Sequence, residues 1–193
     1  MSKSKLRPLS TEETTMARRI FGATIDYQKV MIAARRIKPF QPKSGGLCTG
    51  NTINISGPAY QENYGCLKHS SLEAFYIHEM THIWQFQRSP GYFGKKLAKE
   101  LMLHHFNYMA KAYRYTLDEG KNFDDYGLEQ QACIIQDYYA LRYNQGKGIS
   151  GQCKTNVTGM EFLNWAEKLL AQHFPAIQKS QDNNQAPKPH KPR

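Results

Sequence analysis

The strongest pattern in the chain lies between Ser70 and Gln87. Leu72, Phe75, Tyr76, Ile77, Met80, Ile83, Trp84 and Phe86 populate nearly every side of a 3.6-residue period, and no Gly or Pro interrupts it before Ser89-Pro90-Gly91. Ser70 with Glu73 forms a capping box, so the pattern predicts a helix over Leu72 to Gln87 that is buried all round. Ser10 with Glu13 forms a second box, opening a short helix through Ala17, Ile20 and Phe21 that Gly22 stops. Three more helical stretches are expected: Phe93 to Leu117, Tyr126 to Asn144 closed by Gly146, and Met160 to His173 closed before Pro175. Two-residue alternation is confined to two places. Val30 and Ile32 alternate with Lys29 and Met31, and Ile53 and Ile55 alternate with polar neighbours in Asn51 to Ser56, which predicts two short strands. Between them Pro39, Pro42, Gly45 and Gly46 read as a loop, and Gly57-Pro58 ends the second strand. The expected fold is mostly α, an α+β domain with a small β element, and no internal repeat is visible.

Length and composition then set the class. A chain of 193 residues suits one domain, and 40% hydrophobic with 22% charged residues excludes wholesale disorder, collagen and coiled coil. No apolar run approaches the roughly 18 to 20 residues a membrane helix needs. Met1 to Thr15 carries Lys3, Lys5 and Arg7 with no apolar run behind them, so no Sec-type leader is expected. Of the net charge of +10, three units lie in residues 1–8 and three in residues 175–193. This divides the chain into a basic segment at 1–9, one domain over 10–175 and a polar, Pro-rich basic tail over 176–193 that is expected to be disordered. The remaining excess sits where Arg18, Arg19, Lys29, Arg35, Arg36 and Lys38 face only Asp26, a pattern that suits a solvated face or, alternatively, a nucleic-acid or anionic surface.

Cys48, Cys66, Cys133 and Cys153 contain no CxxC pair, which excludes a zinc ribbon or a thioredoxin motif. They fall into two local pairs, Cys48 with Cys66 and Cys133 with Cys153, which either form bridges in an oxidising compartment or remain thiols.

The chemistry is concentrated in His78-Glu79-Met80-Thr81-His82, an HExxH inside the buried helix. Residues four apart stack on one helix face, so the two imidazoles can share one ion, while Glu79 stands beside that ion as a general base toward a zinc-bound water. Buried histidines and a glutamate need partners, and one Zn2+ supplies them together. A third protein ligand is required, and Glu129, near the start of the helix from Tyr126, is the best candidate. A metzincin pattern is excluded, since Gln85 stands where the glycine would be and Arg88 where the third histidine would be. Asp137, two turns beyond Glu129, is the candidate acceptor for the far N–H of a ligand histidine. Tyr113, Tyr115, Tyr126 and His105 are candidate donors to a developing oxyanion. His104 and His105 adjoin on a helix and point apart, His69, His173 and His190 read as surface residues, and Trp84 and Trp165 read as core.

Ser10-Thr-Glu-Glu, Ile20-Phe21-Gly22, Ile25-Asp26-Tyr27, Phe75-Tyr-Ile-His-Glu-Met-Thr-His-Ile-Trp-Gln-Phe-Gln87 and Leu128-Glu-Gln-Gln-Ala132 together resemble a bacterial metallopeptidase-like group. It includes toxin domains at the C-terminus of certain valine-glycine repeat (VgrG) spike proteins of type VI secretion and short stand-alone Rhs/Vgr-related proteins. The resemblance spans residues 10 to about 145 and implies a zincin-like fold, with His78, His82 and Glu129 on one zinc ion and Glu79 as general base. It implies an antibacterial effector made in the bacterial cytoplasm and delivered to a periplasmic or envelope target. The implied partners are a protein or peptide substrate, a cognate immunity protein and a secretion spike that loads the chain, with no membrane span expected. The alternative is a zinc-stabilised module without catalysis, either binding nucleic acid or an anionic surface or serving as an adaptor in the secretion apparatus.

Overall fold

In the computed structural model, residues 5–37, 41, 43–91, 93–96 and 112–177 are described. Strand β1 (Lys5–Pro8) leads into helix α1 (Thr11–Phe21), followed by β2 (Met31–Ala34), β3 (Gly45–Thr49) and β4 (Thr52–Ser56). Helices α2 (Ser71–Arg88), α3 (Leu128–Tyr143) and α4 (Gly159–Ala171) follow among the described residues, with short 3-10 turns between elements. The result is an α+β domain in which helices outweigh one four-stranded sheet.

The sheet has the order β1-β2-β4-β3. β1 runs antiparallel to β2, β2 parallel to β4, and β3 antiparallel to β4 through the tight connection at Gly50-Asn51. Ile32, Ile53 and Ile55 project from one face into the core cluster that also contains Met16, Ile20, Ile77, Met80 and Ile83. Cys48 pairs with Ile53 and Gly46 with Ile55, so both β3 residues share that inward face. α2 is buried along most of its length, from Glu73 through Gln85, packed between the sheet and α3. Trp84 and Trp165 are core residues, as expected.

Both capping boxes form. Ser10 accepts from the Glu13 amide and Ser70 from the first turn of α2, while Glu13 and Glu73 reach back to the cap backbones. Gly22 ends α1 with φ of +54°, a conformation that suits glycine. The helices expected from Tyr126 and Met160 form within two residues of their predicted bounds.

Several expectations are corrected. Gly45 and Gly46 lie in strand β3 rather than in a loop, because a strand without side chains at this point can approach α2 closely. The helix expected over Phe93 to Leu117 does not extend through Tyr115, which forms a parallel bridge with Cys153. Tyr115 N donates to the Gln152 carbonyl and the Tyr115 carbonyl accepts from Lys154 N, a ladder that replaces helical bonds. The basic segment at 1–9 is partly inside the domain, since Lys5–Pro8 is the β1 edge of the sheet. Ala176 and Ile177, placed in the expected tail, also pack on the domain, with Ile177 buried; residues 178–193 lie outside the described residues. His173 is no simple surface residue, for its ring lies against Trp84, Phe123 and Phe174.

One ion pair explains why β1 joins the sheet. Arg7 grips the fully buried Glu13 with both guanidinium ends, at 2.7 and 2.8 Å, and Glu13 also accepts from the backbone of Ser10 and Tyr64. Removing one partner leaves the other charge buried and unmatched, which costs about 3 to 5 kcal/mol. Glu13→Ala is therefore expected to lower unfolding free energy by about that amount in urea titration, and by more than the loss of a helix cap, about 1 kcal/mol.

Candidate metal centre

α2 presents His78 and His82 one turn apart toward α3, and Glu129 in the first turn of α3 projects between them. His78 Nε2 stands 3.2 Å from Glu129 Oε2, and His82 Nε2 stands 3.3 Å from the same oxygen. The three ligand atoms all lie within 4.8 Å of one another. The two histidines are buried and the Glu129 side chain is only 15% exposed.

The far sides of both rings are held by glutamines, and the glutamines identify the tautomers. Gln85 Nε2 donates to the Leu128 carbonyl at 3.0 Å and to Gln131 Oε1 at 2.8 Å, which leaves Gln85 Oε1 to accept from His82 Nδ1 at 2.8 Å. Gln131 is fixed in turn by donating to the carbonyls of Phe123 and Tyr126. Gln136 Nε2 donates to the Gly148 carbonyl at 2.7 Å, and its Oε1 accepts from His78 Nδ1 at 3.0 Å. Each imidazole, when neutral, therefore carries its proton on Nδ1 and directs the Nε2 lone pair at Glu129.

While both rings are neutral, three acceptors face one another with no donor among them. A proton on one ring relieves one contact, whereas a cation at the centre satisfies all three. The donor set, two imidazole nitrogens and one carboxylate oxygen, suits zinc. Donors about 2.0 Å from a tetrahedral ion stand about 3.3 Å apart, which matches the two observed separations from Glu129. The residues present fit a zinc ion.

Electrostatics in the metal-free protein follow from the same crowding. Burial opposes charge on His82, but Glu129 outweighs it and pushes the imidazole up to about 9. Burial alone would raise Glu129, yet the two imidazoles hold it far below the usual carboxylate range. Glu79 is a different case. It lies buried against β3, burial pushes its carboxyl up, and the Cys48 thiol stands 3.5 Å from Oε2. A Cβ on Gly46 would fall 2.2 Å from the Glu79 carboxyl carbon, so the carboxylate occupies space that any other residue would fill.

The remaining candidates separate clearly. Tyr113 stacks on His78, with ring centroids 6.1 Å apart and planes 19° from parallel. Tyr115 Oη donates to Asp137 at 2.5 Å and Tyr126 Oη donates to the Thr116 carbonyl, so neither hydroxyl faces the metal residues. His104 and His105 lie outside the described residues. Asp137 is not the partner of a ligand histidine; it accepts from Tyr115 and Ser150, and Gln136 and Gln85 take the role expected of it. Neither glutamine was legible as a partner, because an amide three residues after His82, or in the middle of α3, carries no distinctive spacing. All four cysteines are free thiols, with Cys66 exposed and Cys133 buried. The basic residues are anchored one by one: Arg18 lies over Tyr27, Arg19 over Tyr143, and Arg35 and Arg36 donate to Asn54 and the Gln41 carbonyl. Among the described residues, no helix is long and apolar enough to cross a membrane.

No family model matches the chain. It is 29% identical over 144 residues to the type VI secretion system spike protein VgrG2b of Pseudomonas aeruginosa, covering 73% of this chain. The chain spans only 14% of that spike protein's length. The solved effector domain of P. aeruginosa VgrG2b aligns at 28% identity with a TM-score of 0.56, covering 77% of this chain and 84% of that domain. The chain is homologous to that effector domain.

The metal-free charges generate a pH prediction. Because His82 is raised from 6.5 to about 9, its contribution to stability is full below pH 6.5 and disappears as pH rises through 9. Thermal unfolding in chelator should therefore show a fall in Tm between pH 6.5 and 9, and His82→Asn should flatten it.

Proposed function

We propose that the chain is a type VI secretion effector whose centre hydrolyses peptide bonds with one zinc ion held by His78, His82 and Glu129. The observation that carries the reading is the convergence of two Nε2 lone pairs and a carboxylate oxygen at tetrahedral spacing, with the tautomers set from behind. Homology to the VgrG2b effector domain supports the effector role and a link to a secretion spike.

A zinc ion bound there would polarise a scissile carbonyl and acidify a water. Glu79 is placed to take a proton at its carboxylate and return it to the leaving amine. Its raised proton affinity suits that exchange, since a carboxyl of ordinary acidity would release the proton too readily. β3 is an edge strand beside Glu79 with no strand on its outer side among the described residues, so an extended peptide can pair along it. Tyr113, stacked against the His78 ring, is the tyrosine we assign as donor to the oxyanion. This arrangement is zincin-like, with the target in the periplasm or envelope of a rival cell and an immunity protein guarding the producer.

Three variants test the reading. His78→Ala should abolish stoichiometric zinc, measured by elemental analysis of purified protein. Glu79→Gln should keep the zinc and lower hydrolysis, or toxicity when the chain is exported to a bacterial periplasm, by about 100-fold or more. Zinc retained with toxicity intact in Glu79→Gln would support the alternative, a zinc-stabilised binding module. Gly46→Ala should also lower hydrolysis with zinc retained, because its Cβ displaces the Glu79 carboxylate.

A further inference from the structure

One network begins away from the metal residues and reaches them only through Gln136. Asp137 accepts from Tyr115 Oη at 2.5 Å, from Ser150 N at 2.5 Å and from Ser150 Oγ at 2.9 Å. Ser150 ends the loop that leaves α3, in which Gln145, Gly146 and Gly148 all have positive φ, at 53°, 75° and 88°. Asn144 ties the start of this loop to α2, donating to the Ser70 carbonyl at 2.9 Å and to the Lys147 carbonyl at 2.7 Å. Gly148 is pressed on the first turn of α2. A Cβ there would stand 2.6 Å from the Ala74 Cβ and 3.0 Å from the Ser71 carbonyl oxygen. From this seat the Gly148 carbonyl accepts from Gln136, whose other end takes the His78 Nδ1 proton.

We propose that the loop 144–150 is a positioning element for the metal centre, setting the tautomer and ring orientation of His78 through Gly148 and Gln136 and held in register by Ser150 on Asp137. The inference rests on the metal reading above. The two histidines differ in this respect. His82 is pinned through Gln85 to the Leu128 carbonyl and Gln131, within α3, so its orientation is independent of the loop. His78 depends on it. Gln136 has to present its carbonyl oxygen to the ring, and only an acceptor at the Gly148 position turns its amide nitrogen the other way. Metal affinity and loop order are then coupled in both directions: disturbing the loop weakens binding, and binding orders the loop.

The test compares zinc affinity, by competition with a chromogenic chelator, for the wild-type chain, Gln136→Met, Ser150→Ala and the control Met160→Gln. Gln136→Met keeps length and removes the amide, and should weaken zinc about 10- to 100-fold. Ser150→Ala keeps the backbone bond to Asp137 and should weaken zinc several-fold, with a smaller zinc-induced rise in Tm. Met160→Gln, at an exposed position on α4 outside the loop and the relay, should leave affinity unchanged. A purely structural loop would not alter the His78 tautomer, so 15N spectra of the ring provide an independent readout. The Nδ1–H form should dominate in wild type and give way to a mixture in Gln136→Met. If Ser150→Ala and Gln136→Met lower the Tm of the metal-free protein yet bind zinc as wild type does, the coupling is overturned. If wild type takes up no zinc, the metal reading fails and the coupling with it.

Discussion

Everything in the site depends on three hydrogen-bond acceptors pointing at one place. Two imidazole nitrogens, each 3.2 to 3.3 Å from one carboxylate oxygen, cannot all be satisfied from within the trio even when a proton sits on one ring, and they are too buried for water to do so freely. Such an arrangement persists only where the surrounding structure imposes it. Here the imposition comes from outside the trio, in glutamine side chains whose amide nitrogens are committed to backbone carbonyls and whose oxygens are thereby forced toward the rings. The same crowding of acceptors gives the trio a donor set that fits a cation, with the cost of assembling it already met by folding.

The fold supplies this by stacking one highly buried helix between a small sheet and α3. α3 contributes the third acceptor directly, and its turns and flanking loops receive both glutamine relays. The sheet contributes from the other side, where a strand lacking a side chain at Gly46 leaves room for Glu79 to lie buried beside the two histidines. Helix α1 and strand β1 sit farther back, joined through Arg7 and Glu13, and keep the sheet in register against α2.

Much of this was legible in the chain. Both capping boxes, the all-round burial of α2, the HExxH spacing and the choice of Glu129 follow from local pattern, because helical periodicity places residues on faces with little ambiguity. What was not legible depends on tertiary approach. Gly45 and Gly46 carry the composition of a loop, yet they form a strand because proximity to Glu79 matters more there than strand propensity. Asp137 lies on nearly the same stripe as Glu129, but its neighbour Gln136 reaches His78, while Asp137 turns to Tyr115 and Ser150, residues that arrive from irregular segments with no period to announce them. Lys5–Pro8 looked like a solvated basic end, since nothing near Arg7 in a linear pattern reveals that Glu13 waits for it in the core.

The central claim, that these side chains form a zinc site with an open position, is tested most directly by X-ray absorption at the zinc edge of the loaded protein. The account predicts one zinc per chain with only nitrogen and oxygen neighbours near 2.0 to 2.1 Å, two of them imidazole, and at least one exchangeable with solvent. A sulfur neighbour near 2.3 Å, drawn from Cys48 or another thiol, or an inner sphere closed by four protein ligands, would contradict it.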